Sequence, residues 1–439
     1  MRNWKSMKNK LVILWGLVGI LTWSQEVNSF SLQEAIEHTL THNYDMLKAD
    51  LEIQKAEKKV WETTATGLPQ IDGTIDYQNN IQMQKIFLMD TVFQAGQKQN
   101  IAPSIQINQL LFSGSYFVGL QSAKAYKEIS SLGKEKTAAQ LTEAVINAYA
   151  AVVIAEENSK IISNNLVTAE KNLNDISEIY KAGFAEEQDV DQINYTLTQL
   201  SSSRNFAHRQ RASALNSLKF IMGLDQEDPL LLTNTLDDLM QDNLGLLKED
   251  LKAEIEKHID YQIANLQVKT GELQVKYQKT MAMPTLSTFL SHSENWSTNE
   301  AALFKNFGNH FAATIWGLKL NVPIFSSFQR RAKTQQAQID LALAEVERKK
   351  IEQQLIQEVK NSEIAYDNAI DNYYTSQELV ELSNKILEKE QIKFSEGISS
   401  SMDLTNAEEQ LFRAQNQYIQ AAFDVIQSKS ALYQALGQY

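Results

Sequence analysis

The sequence predicts a mainly α-helical protein with a membrane β-barrel component, built from one helix-strand-strand-helix-helix module used twice. Three observations predict it. Unlike landmarks recur at a nearly constant offset along the 439 residues. Two stretches of nearly seventy residues, almost free of Gly and Pro, each precede a shorter helical stretch. Short segments alternating polar with apolar residues lie at matched positions between the helices.

The landmarks are of four chemical kinds. Pro69 answers to Pro284, and the run 108–113 (NQLLFS) to 321–326 (NVPIFS). Gly183 with Asp189 answers to Gly397 with Asp403, and Leu218 with Gly223 to Leu432 with Gly437. The offsets lie between 213 and 215 residues, too long for a short-repeat solenoid, so one large module is duplicated.

Residues 1–24 read as a signal peptide. Arg2, Lys5, Lys8 and Lys10 precede an apolar run over 11–21, and Ser24 offers a small residue for cleavage. That run is shorter than the roughly 18–20 apolar residues of a spanning helix. No other segment is expected to span as a helix, so membrane contact falls to strands. Without the leader's four positive charges the formal charge goes from −13 to −17, which makes the chain a poor candidate for phosphate-backbone binding, so no nucleic-acid partner is expected. The chain has no cysteine, hence no disulfide, no thiol chemistry and no lipoprotein anchor.

The first repeat is expected over 25–224. A helix over 31–64 carries Leu32, Ala35, Ile36 and Leu40, breaks near Asn43, and stops at Gly67-Leu68-Pro69. A strand over 70–78 puts Ile71, Gly73, Ile75 and Tyr77 on one face and Asp72, Thr74, Asp76 and Gln78 on the other. After a loop the strand 101–112 returns, followed by helices over 115–181 and 186–222. An acidic connector, 225–249, leads to the second repeat over 250–439. There helices are expected over 250–281, 328–396 and 401–437, and strands over 285–293 and 311–322.

Each long helix measures roughly 100 Å at 1.5 Å per residue. The two short helices of each half, stacked end to end, sum to about that length. On the second long helix Ser362, Tyr366, Ala369, Tyr373, Ser376, Val380, Ser383, Leu387, Glu390 and Phe394 step by four and three, the seam of a coiled coil. Four strands of about ten residues have membrane-crossing length but cannot close a barrel alone. Open edges in lipid leave backbone groups unsatisfied at several kcal/mol each, so several chains must pool their strands.

The mature chain resembles the TolC-like outer-membrane efflux proteins, the exit ducts of tripartite pumps and type I secretion systems. The resemblance is carried by 31–36 (SLQEAI) with Asn43 and by the Gly67-Leu68-Pro69 and Met283-Pro284 junctions. Tyr180 to Gly183 with Asp189, and Phe394 to Gly397 with Asp403-Leu404, add to it. It implies a homotrimer whose twelve-stranded outer-membrane barrel continues into a twelve-helix periplasmic tunnel. It also implies a passive conduit, partnered by a periplasmic adaptor, an inner-membrane transporter and outer-membrane lipid.

The residues and the resemblance both direct attention to the two helix-turn-helix tips. Gly183 and Gly397 stand where a left-handed residue ends a helix, and in the family such tips dock the adaptor. Tyr180 and Phe394 read as packing residues or adaptor contacts. Asp189 and Asp403 read as first-turn acids at the positive helix end, with Ser400 completing a capping box, or as rings of carboxylates at a tip constriction. The family carries a second acid one turn beyond Asp403; here that position is Asn406, with Gln192 its first-half counterpart.

His38 and His42 are spaced i, i+4 without a third ligand nearby, so no metal site is expected. No phosphate-binding glycine loop, zinc-protease helix or nucleophile elbow is present, and neither a cofactor nor an enzyme activity is expected. The competing reading is an exported coiled-coil scaffold or adhesin without a pore, which leaves the matched strands unexplained. Aromatic residues Phe87, Phe93, Trp296, Phe304 and Phe307 are assigned to outer loops over 79–100 and 294–310.

Overall fold

A computed structural model of the protein describes residues 28–88, 91–244, 255–299 and 309–439. The expected leader 1–24, connector positions 245–249, positions 250–254 of the helix expected over 250–281, and Phe304 and Phe307 lie outside the described residues.

The helix expected over 31–64 is two helices, α1 (Leu32–His42) and α2 (Tyr44–Ala65). Ser31 and Glu34 form a capping box at the start of α1, with the Ser31 N–H donating to Glu34 Oε2 at 2.8 Å. Asn43 stays extended, and its Oδ1 accepts the Asp45 N–H at 2.7 Å to start α2. Its Nδ2 donates to the Ile221 carbonyl at 2.7 Å. A polar amide that satisfies one helix start and one helix end is the cause of the break.

Next come β2 (Gln70–Asn79), β3 (Gln84–Leu88), β4 (Thr91–Ala95) and β5 (Gln99–Phe112). The region expected as a plain loop before β5 therefore holds a hairpin, β3 against β4. Helices α3 (Gly114–Lys181, 68 residues) and α4 (Glu187–Met222) complete the first half. In the connector are β6 (Leu230–Leu232) and α5 (Leu236–Asn243). Beyond it run α6 (Ile259–Thr280), β7 (Thr285–Thr298), β8 (Asn309–Asn321), α7 (Gln329–Ser395, 67 residues) and α8 (Ser401–Leu436). The strand expected over 285–293 thus continues to Thr298. Pairing of Glu294 with Ala312 and of Asn295 with Phe311 of β8 overrides their weak strand propensity, while β5 holds Ser293 and Trp296 on either side.

Strands β2, β5, β7 and β8 form one antiparallel sheet in that order, leaving β2 and β8 as its edges. Along the helical part, α2 and α4 flank α3, and α6 and α8 flank α7. The short helices meet end to end. Gly223, φ +73°, ends α4 so close to α2's start that an added Cβ would stand 2.6 Å from the His42 carbonyl oxygen. The second half repeats the joint: His258 is extended, its Nδ1 accepts the Asp260 N–H at 3.1 Å, and its Nε2 donates to the Gln434 carbonyl at 3.3 Å.

The main core lies at this equator. It gathers Val145, Tyr149, Val152 and Val153 of α3, Leu218 and Met222 of α4, Tyr366 and Tyr373 of α7, and Val425 and Ile426 of α8. Each such fully buried aliphatic side chain contributes about 1.5–3 kcal/mol. A parallel pairing of β1 (Asn28–Phe30) with β6 fastens the connector to it, and the Tyr149 hydroxyl donates to the Phe30 carbonyl at 3.0 Å. One correction concerns α3. Against the expectation that no segment beyond the leader is apolar enough to span as a helix, α3 contains a window of mean hydropathy 1.4, enough for a membrane span by length and composition. Its apolar residues Val145, Val152 and Val153 are instead part of this core. The seam on α7 faces inward, with Tyr366, Ala369, Tyr373, Ser376, Ser383 and Leu387 all buried.

Candidate functional site: a sheet wall and two helix tips

Cross-strand register decides which residues share a face of the sheet. Ile71, Ile75 and Tyr77 of β2 stand opposite Ile107, Pro103 and Ile101 of β5. Ile107 in turn meets Leu290 of β7, which meets Trp316 of β8, and the same face carries Leu318 and Leu320. Trp296, assigned from sequence to an outer loop, lies on this face within β7, opposite His310. The other face carries Asp72, Thr74 and Asp76 against Gln106, Ser104 and Ala102, with Thr74 and Ser104 hydroxyls 2.8 Å apart.

The apolar face is bare. Ile75 is 77% exposed, Trp316 68% and Leu320 64%, although each would gain about 1.5–3 kcal/mol on leaving water. Lipid removes that cost, while the polar face lines an aqueous interior. Such alternation is the pattern of a transmembrane β-barrel wall.

At the opposite end, each long helix stops at a tip. Gly183 has φ +83° and Gly397 φ +73°. The Gly183 N–H donates to the Tyr180 carbonyl at 2.9 Å and the Phe184 N–H to Ile179 at 3.1 Å; the second tip repeats this, with Gly397 to Phe394 at 3.0 Å and Ile398 to Lys393 at 2.9 Å. These are matching Schellman turns, and only glycine takes the left-handed position without strain.

Tyr180 and Phe394 part company in the structure. Phe394 packs on the Leu387, Leu404 and Leu411 cluster, whereas Tyr180 is exposed. The side chains that project most at the turns are Phe184, 86% exposed, and Ile398, 77% exposed. Sequence reasoning passed over both; the available signal was an apolar residue directly after each tip glycine, at matched positions.

The two acids also separate. Asp189 accepts the Glu186 N–H through Oδ2 at 3.0 Å, and its Oδ1 accepts a short hydrogen bond from the Ser401 hydroxyl at the start of α8. It therefore ties the first tip to the second. Asp403 accepts from the Ser400 hydroxyl at 2.7 Å and from the Ser400 N–H at 3.3 Å. Those two bonds, the hydroxyl's first, hold its carboxyl below the usual range. Glu390 steadies the second turn by accepting from the Ser399 hydroxyl and from Lys393 at 2.9 Å, and the same two partners lower its carboxyl.

His38 and His42 stack with centroids 4.1 Å apart, and His38 Nδ1 donates to the Met222 carbonyl at 3.1 Å. Burial chiefly, and then the neighbouring His42, lowers the His38 pKa. Among the described residues no group of three side chains is arranged to hold a metal.

An open amphipathic sheet continuing into paired helices of about 100 Å is the architecture of a membrane channel extended by a helical tunnel. The chain belongs to the outer membrane efflux protein family, whose profile matches residues 35–224 and 252–438. It is thus an outer-membrane efflux channel protein with a tunnel extending into the periplasm. It is 21% identical over 427 residues to the toluene efflux pump outer membrane protein TtgC of Pseudomonas putida, covering 94% of this chain and 84% of that one. It is likewise 21% identical to the outer membrane protein TolC of Vibrio cholerae, over 98% of this chain and 95% of the relative. Among solved structures, the fold matches CusC with a TM-score of 0.76 at 17% identity, over 92% of each chain. It matches the Campylobacter jejuni CmeC outer membrane channel with a TM-score of 0.71 at 16% identity, over 99% of this chain and 94% of that one.

Proposed function

We propose that three copies of the chain pool their sheets into a twelve-stranded barrel and their helices into one tunnel. The trimer is a passive exit duct for an inner-membrane transporter, opened at its tips by a periplasmic adaptor. The observation that carries this reading is the four-stranded sheet with a lipid-compatible face and two unpaired edges, β2 and β8. In lipid those edges cost several kcal/mol per unsatisfied group, and β8 of one copy against β2 of the next relieves both. TtgC is by name the outer membrane protein of an efflux pump, which supports the same role here, without chemistry of its own.

Opening at the tips follows from the wiring. The Asp189–Ser401 bond draws the α3/α4 pair to the α7/α8 pair, and adaptor contacts at Phe184, Ile398 and the neighbouring Tyr180 favour its release. Gly183 and Gly397 shape the turns that present those residues, and Phe394 supports the second turn from inside. Asp403 lies beside Ser401, where its threefold copies add negative charge to the narrow end.

The test is the protein mass of the complex extracted from outer membranes, by light scattering with detergent subtracted. Three chains per particle is the expected result. A monomer recovered from the aqueous periplasmic fraction would sink the duct and leave the scaffold.

A further inference from the structure

Between the two helix pairs, on the tip side of the equatorial core, lies a cavity of about 300 Å³. Residues of α3, α4, α7 and α8 line it, so it spans the seam between the α3/α4 pair and the α7/α8 pair. Glu408 of α8 is its acid. Asn172 of α3 donates to Glu408 Oε1 at 2.5 Å across that seam, and Oε2 has no hydrogen-bond partner among the described residues.

The duplication breaks here, because the first-half position matching Glu408 is Asn194. Among the lining residues, α3, α4 and α7 contribute amides, hydroxyls and apolar groups and no charge. The other ionisable residue on the wall, Glu409 of α8, is engaged by Arg413 at 3.4 Å. Burial pushes the Glu408 carboxyl up to about 7, against the pull of the Asn172 hydrogen bond. Among the described residues that line the cavity, none therefore offers a carboxylate at this place a counter-charge.

We propose that this cavity binds a small organic cation, an ammonium joined to an apolar group, with Glu408 as its counter-ion. The volume suits such a molecule: a bare ion fills little of it, since one water occupies about 30 Å³ of liquid. Leu200, Leu387, Leu411 and Phe412 offer the apolar contact, and Gln199 and Gln391 can accept the ammonium's remaining hydrogens. Binding draws the proton off Glu408, because the ionised form gains the ammonium's charge. Affinity accordingly rises with pH while the ligand remains protonated, its own amine titrating far higher.

This inference goes beyond the duct reading and its binding step does not depend on it. One consequence does: an occupant wedged across the seam holds together the helix pairs that must part when the tips splay.

The experiment is isothermal titration of the full chain in lipid nanodiscs with phenethylamine, using phenethyl alcohol as the uncharged counterpart. Between about pH 6 and pH 8 the amine's affinity is expected to rise about tenfold, with proton release detected in buffers of differing ionisation heat. The alcohol should show no such rise. Glu408→Gln should lose the pH dependence and about tenfold in affinity at the higher pH, while Glu409→Gln keeps both. A flat profile in the unaltered protein, or an unchanged profile in Glu408→Gln, overturns the inference. A trimeric duct that fails to bind the amine would overturn this inference alone. Binding by a chain that forms no duct would overturn the channel reading alone.

Discussion

The tips and the equator use the same turn to opposite ends. All four helix-ending glycines, Gly183, Gly397, Gly223 and Gly437, take φ between +70° and +83°. At the tips nothing stands within 4 Å of where a Cβ would be. At the equator an added Cβ on Gly223 meets the His42 carbonyl oxygen at 2.6 Å, and one on Gly437 meets the His258 ring at 3.3 Å. Equatorial glycine is thus needed twice, for its dihedral angle and for close approach; tip glycine is needed once. One backbone motif yields a clamped joint where the short helices meet, and a turn held by few bonds where the tunnel ends.

The sharpest way to break the comparison is to add one methyl group at both places. Gly223→Ala should cost about 2–5 kcal/mol per protomer, combining left-handed strain with overpacking against backbone. Gly183→Ala should cost about 1–2 kcal/mol, from the dihedral alone. Thermal unfolding of both variants measures the difference, and equal losses would mean that the equatorial joint yields.

A smaller effect is expected from Tyr149→Phe. The Tyr149 hydroxyl donates to the Phe30 carbonyl at 3.0 Å and accepts the Asn234 N–H at 3.3 Å. Losing it should destabilise the equator by about 1–3 kcal/mol and speed hydrogen exchange in β1 and β6. Tip exchange should not change.

Asp189→Ala and Ser401→Ala each remove the Asp189–Ser401 bond between the tips, so each should raise single-channel opening and protease nicking near 182–186. The double variant should equal Asp189→Ala, which loses the shared contact together with the cap bond from the Glu186 N–H. Additive effects would show that Asp189 acts through the α4 cap instead.

The smallest effect concerns pH. Asp403's carboxyl is lowered by the Ser400 hydroxyl and then the Ser400 N–H. A depressed folded pKa means the cap's contribution is complete above the unfolded value of about 3.9 and is lost as pH falls through the folded one. Between about pH 5 and 8, therefore, α8's first turn should keep constant exchange protection, and Asp403→Asn should remove only the acid-dependent part. Loss of protection near neutrality that persists in Glu408→Gln would place another titrating group at the tip.

Much of this was legible in sequence because it is local. A glycine after a long periodic run marks a left-handed helix end, and Ser400 three residues before Asp403 marks a capping box. The alternation of Ile71, Ile75 and Tyr77 with Asp72, Thr74 and Asp76 likewise marks a two-faced strand. Other features depended on partners far along the chain. The three-residue strands β1 and β6 exist only because Asn28–Phe30 meets Leu230–Leu232. Glu294 and Asn295 are strand residues only because Ala312 and Phe311 of β8 pair with them. Phe184 and Ile398 became conspicuous only once Phe394 was seen packed inward.

The sequence by itself determined the duplication, the places where helices must end, and a sheet with one lipid-compatible face, since each follows from short-range sterics and the periods of helix and strand. Tertiary structure alone decided that Asp189 reaches Ser401 of the other tip, and that Glu408 meets Asn172 across the seam. Asp189 and Asp403, equivalent carboxylates of the duplicated chain, carry the same local capping code. Their partners are set by which helices lie side by side, and that depends on packing across two hundred residues of intervening chain.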